Sequence, residues 1–174
     1  YIMTYNIHPL FVHFPIALLF IYSIIKILPL EKWFPSVSWK HIERTLLVLG
    51  TLGAFAALTT GEIAEEISKP NHQLVEMHSA FANIPTWVYT ALLLGEILSV
   101  IKDKFALKVE TRAFVKKVIF FVHSILTNEI LSIALAFIGL VAICVTGLLG
   151  GVMVYGTSAD PVAGLVLKIL GIDF

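Results

Sequence analysis

The sequence predicts an all-α integral membrane protein: a four-helix bundle with an interfacial helix between spans 3 and 4. Three observations predict it. Of the 174 residues, 58% are hydrophobic and the mean hydropathy is +0.91, well above what the core of a soluble domain requires. Four apolar runs each reach the roughly 20 residues that a helix needs to cross about 30 Å of hydrocarbon. A fifth apolar stretch, between the third and fourth runs, carries its charges on one face only, the pattern of a helix lying flat in the interface.

Span 1 is expected over residues 9–30, opening with "HPLFVHFPIAL" at 8–18. Pro9 suits a first helical position, which would leave His8 as the cap. Pro15 falls inside the helix, where it removes a backbone donor and bends the chain. Span 2 is expected over 45–65. Span 3 follows over 75–101, with Pro85 inside it, and span 4 over 130–155. Between spans 3 and 4, Phe114, Val118, Phe121 and Ile125 recur at helical spacing opposite Arg112, Lys116 and Lys117. The tail after Asp160 is too short to span and is expected on the surface or tucked against the bundle. No internal repeat and no low-complexity linker interrupts the chain, so residues 1–174 form a single expected domain. The chain enters span 1 from "YIMTYN", with no basic leader that would mark a cleavable signal.

Lys and Arg beside the spans set the expected orientation. Lys26, Lys32, Lys40 and Arg44 flank the first connection, and Lys102, Lys104, Lys108, Arg112, Lys116 and Lys117 the third. Only Lys69 and Lys168 fall at the other end. Both termini should therefore face the periplasm or the cell exterior. Formal charge totals zero, which gives nucleic acid no reason to bind. The single cysteine, Cys144, lies in an apolar run and is expected to be a small buried residue.

The polar residues of the spans gather at that outer end. Span 1 brings His8 and His13. Span 2 brings Thr59, Thr60, Glu62, Glu65 and Glu66, and the start of span 3 brings His72, Glu76 and His78. Span 4 leaves through "TGLLGGVMVYG", which supplies Gly150, Gly151 and Tyr155. The opposite half of the bundle is nearly all apolar, and His41 and His123 there are taken as ordinary interface residues. Ionisable side chains inside a span are costly and mark candidate functional positions. His13 and His78 fall at similar depth on separate helices, so they form the expected pair. Gly50, Ala54, Ala57 and Gly61 make a small-residue stripe on span 2 that serves close helix packing or a cofactor wedged between helices.

Four stretches carry a family resemblance: "HPLFVHFPIAL", "LTTGEIAEE" at 58–66, "HQLVEMHSAFAN" at 72–83 and "TGLLGGVMVYGTSADPV" at 146–162. Together they resemble the predicted bacterial membrane proteins catalogued as domain of unknown function 2231. The resemblance implies a four-span protein of the bacterial inner membrane, and fusion of related domains to c-type cytochrome modules implies electron transfer. It carries over to His8, His13, Gly61, His78, Gly150, Gly151 and Tyr155. Glu62 stands where the family often has another polar or acidic residue.

The preferred expectation is a haem b protein with His13 and His78 as axial ligands and His8 as a supporting or alternative ligand. Electrons would pass between quinol or a partner subunit and a cytochrome, making the chain an electron carrier more than a free-standing enzyme. The alternative is a non-haem site of His8, His13, His78 and Glu62 for zinc, copper or iron. A third expectation is a structural subunit or quinone carrier in which the histidines only hydrogen-bond. A second copy of the chain and the lipid bilayer complete the expected partners. Hydrolase and kinase motifs are absent from the sequence.

Overall fold

A computed structural model of the chain describes residues 6–68, 71–105 and 113–172. Its elements are α1 (His8–Ile27), α2 (Leu30–Trp33), α3 (Trp39–Ser68), α4 (His72–Phe105), α5 (Ala113–Leu126), α6 (Glu129–Tyr155) and α7 (Ala163–Leu170), with a 3₁₀ turn at Gly156–Ala159 before α7. Helices α1, α3, α4 and α6 are each long and apolar enough to cross a membrane. They close a bundle in which α1 and α4 each lie between α3 and α6.

Each span departs slightly from the range expected from hydropathy. Span 1 stops at Ile27, because Pro29 has no N–H to continue the ladder, and the next turn restarts as α2. Helices α3 and α4 run further than 45–65 and 75–101, adding polar turns outside the apolar windows. At the start of α1 the cap is Ile7, not His8. His8 is the first helical residue, and its N–H is taken by Asn6 Oδ1 at 3.1 Å.

Helix α6 begins where Asn128 accepts from the Leu131 N–H at 3.0 Å, satisfying one of the orphan donors of the first turn. Asn128→Ala is expected to cost about 1 kcal/mol, a fall of roughly 2–4 °C in the thermal midpoint of a chain this size. Circular dichroism in detergent would measure it; an unchanged midpoint would mean that the cap contributes nothing.

The helical core is narrow, and most large apolar side chains face outward, among them Phe14, Phe137 and Ile130, which is 80% exposed. Lipid takes the place of a second layer of protein on those faces. One buried cluster, with Leu19, Tyr22, Leu47, Tyr89, Leu92 and Ile143, fills the middle of the bundle. Tyr89 is fully buried; its hydroxyl lies 2.6 Å from Ser23 Oγ, and its ring meets Tyr22 edge-on. A second cluster seats the tail. Ala163, Leu167 and Ile172 pack on Leu74, Leu149 and Val152, and Gln73 Nε2 donates to the Gly171 carbonyl at 3.2 Å. The tail is tucked, the second of the two expected placements.

Helix α5 lies between spans 3 and 4 as expected, with Val118, Phe121 and Ile125 exposed. The side chains of Arg112, Phe114 and Lys116 lie outside the described residues. Cys144 is exposed on the lipid-facing side of α6, contrary to the expectation of a buried residue.

Candidate functional site

His8 and His78 lie at the same end of the bundle. The two imidazoles, from the first turn of α1 and the second turn of α4, are close enough to interact electrostatically. His13 faces away. Its ring nitrogen Nδ1 bonds to the Pro9 carbonyl of its own helix, and the side chain is exposed. The physical reason is helical: five residues turn about 140° around the axis, so His8 and His13 cannot face the same neighbour. The buried face of α1 carries Pro15, Leu19 and Tyr22, and His8 lies seven residues before Pro15, on that face.

All four spanning helices contribute to the His8–His78 site. His8 Nδ1 lies 3.0 Å from Thr60 Oγ1 on α3. The Thr60 hydroxyl has one hydrogen, which points to the carbonyls of Ala56 and Ala57 at 3.0 and 3.1 Å. Its lone pair is therefore placed to accept Nδ1–H from His8, and the Ala57 carbonyl lies beside the same ring. His78 differs. Its Nδ1 is buried with no hydrogen-bond partner, and the Thr146 carbonyl of α6 lies beside the ring.

Two glycines make room for the rings. A Cβ at Gly61 would lie 3.3 Å from His8 Cε1, and one at Gly150 would lie 3.2 Å from His78 Cε1. Each imidazole thus rests on bare backbone of a neighbouring helix. The small-residue stripe of span 2 serves close helix packing: Gly50 receives Leu19 in the core, and Gly61 receives His8 at the outer end.

The remaining expected residues do not join this pair. Glu62 is exposed, Tyr155 is 74% exposed, and Gly151 is half-buried next to Gly150. His72 and Glu76 lie 4.0 Å apart, both largely exposed. His41 and His123 sit at the other end on Ser38 and Ser99, at 2.7 and 3.2 Å. Among the described residues, no group of three or more His, Cys, Asp or Glu side chains is placed to hold a metal ion. Thr146 and the tautomer-setting role of Thr60 were missed from sequence. Thr146 lies seven residues after buried Gly139, a periodicity that would have placed it on the inner face of α6.

The arrangement presents two imidazoles at one end of the bundle, His8 with Nδ1 on Thr60 and His78 with a buried Nδ1 that no protein group meets. In a histidine that ligates a metal, the hydrogen bond at one nitrogen fixes which nitrogen is left to bind. Two donors complete the coordination of an iron whose other four positions are filled by a porphyrin. They fall short of the three or four protein donors that zinc or copper sites use. An unpartnered buried nitrogen, as at His78, costs about 1–3 kcal/mol unless something pairs with it.

A family model described as "Predicted membrane protein (DUF2231)" matches residues 4–160. No curated protein and no solved structure matches the chain.

Proposed function

We propose, for a chain that belongs to the DUF2231 family of predicted membrane proteins, that His8 and His78 hold haem b and that the protein carries electrons. The observations that support this reading are a buried His78 Nδ1 with no partner and, on a separate helix at the same end, a His8 ring held by Thr60, each imidazole resting on a glycine of a neighbouring helix. Haem held by two histidines supplies one-electron chemistry and leaves the iron no open position for oxygen.

The chain's own residues prepare the site. Thr60 holds the His8 ring, the Thr146 carbonyl lies beside that of His78, and Gly61 and Gly150 admit the two rings. Electrons would pass between membrane quinol or a partner subunit and a c-type cytochrome. The Lys-poor end of the bundle, where the histidines lie, would face the periplasm under the positive-inside rule.

A reduced-minus-oxidised absorption spectrum of detergent-purified protein, with a pyridine haemochrome assay and elemental analysis, tests this. A sharp low-spin α-band with about one iron per chain is the expected result. Stoichiometric zinc or copper would turn the reading to a non-haem site, and a colourless, metal-free protein purified under haem-retaining conditions would end it.

A further inference from the structure

The end of the bundle opposite the histidines holds a cavity of about 440 Å³, bounded by the last turns of α1, residues 92–99 of α4, the connection through α2, and the first turns of α3 and α6. Its volume falls among those of small-molecule sites, roughly 300–1,000 Å³. The expectation of a nearly apolar half-bundle fails here. Tyr22, Lys26, Glu43 and Glu96 line the cavity. Lys26 Nζ lies 3.4 Å from Glu43, and Glu96 accepts from Arg44 Nε at 2.8 Å.

The lining carries both signs: Lys26, Lys32 and Lys40 stand with Glu31, Glu43, Glu96 and Glu129, and Arg44, outside the lining, is held on Glu96. A lining of mixed sign with one carboxylate in excess offers an anion no net attraction and suits a ligand that carries both signs. Leu28, Leu92, Leu126 and Ile133 add apolar wall beside those charges. The cavity lies at the ends of the spanning helices, the depth of lipid headgroups.

We propose that this cavity binds the phosphoethanolamine headgroup of a zwitterionic phospholipid, its phosphate toward the lysines and its ammonium toward the carboxylates. The inference rests on the cavity alone and is independent of the haem reading.

Native mass spectrometry of the delipidated full chain, with phosphatidylethanolamine and phosphatidylglycerol of identical acyl chains, tests it. Phosphatidylethanolamine should be retained at least about fivefold better, a ratio set by one or two charge contacts near the surface. Lys32→Gln and Glu129→Gln, at the rim, should each reduce that preference, and Lys168→Gln, at the other end of the chain's fold, should leave it intact. Lys26→Gln and Glu43→Gln should abolish it, with thermal midpoints reporting whether those variants fold. Equal retention of the two lipids, a preference unchanged in both rim variants, or displacement of the lipid by equimolar free phosphoethanolamine would each overturn the proposal.

Discussion

His78→Ala is expected to remove the low-spin haem spectrum altogether, and His8→Ala to remove it or convert it to a high-spin form, whereas His13→Ala leaves it intact. The distinction follows from where the rings point. His8 and His78 each rest on a glycine of a neighbouring helix, His8 with Nδ1 on Thr60 and His78 with an unpartnered buried Nδ1, while His13 spends its ring nitrogen on Pro9 of its own helix and is exposed. Thr60→Val should act through His8, because it removes the acceptor that keeps the proton on Nδ1. Roughly tenfold weaker haem retention is the expected scale for losing such a partner. Absorption spectra of the four variants, normalised to protein, decide the matter. Loss of the spectrum in His13→Ala with retention in His8→Ala would show that α1 is rotated from the orientation described and would restore the pairing expected from depth alone.

Gly139→Ala should be the most damaging single methyl group that can be added to the middle of the bundle. A Cβ there would lie 2.6 Å from Tyr89 Cζ and 2.7 Å from its hydroxyl. The ring has no room to yield: Tyr89 is fully buried, hydrogen-bonded to Ser23 and set edge-on to Tyr22. Overpacking of this kind costs about 1–3 kcal/mol or more, so the thermal midpoint should fall by roughly 2–12 °C at 2–4 °C per kcal/mol. Gly147→Ala is the matched control, since nothing lies within 4 Å of a Cβ there. It should be neutral or slightly stabilising through helix propensity. Adding Tyr89→Leu to Gly139→Ala should recover part of the loss, a coupling that a double-mutant cycle would measure. Equal midpoints for Gly139→Ala and the wild type would place the Tyr89 ring elsewhere.

The histidine site was only half legible in the sequence. Depth along each span follows from residue counting, and it correctly put His8, His13 and His78 at one end. The choice between His8 and His13 needed rotation about the helix axis, for which the heptad spacing from His8 to Pro15 was the available signal. Cys144 shows the same limit, because an apolar run does not tell which of its residues faces lipid. The charged cavity was missed for a different reason. Lys26, Glu43, Arg44 and Glu96 each lie near the end of a span, where a charge has an ordinary reading as a solvated anchor; only the register of α1 on α3 and α3 on α4 pairs them.

The sequence by itself determined that this protein has four membrane-spanning helices, an amphipathic helix before the last of them, and its basic residues concentrated at one end. These properties are sums over neighbouring residues, so they survive ignorance of how helices meet. Only the tertiary structure decided that His8 and not His13 turns inward onto Thr60, that Gly61 and Gly150 lie under the His8 and His78 rings, and that ion pairs close on a cavity at the far end. Those outcomes depend on the rotation and register of each helix, which are set by close packing between side chains far apart in the chain.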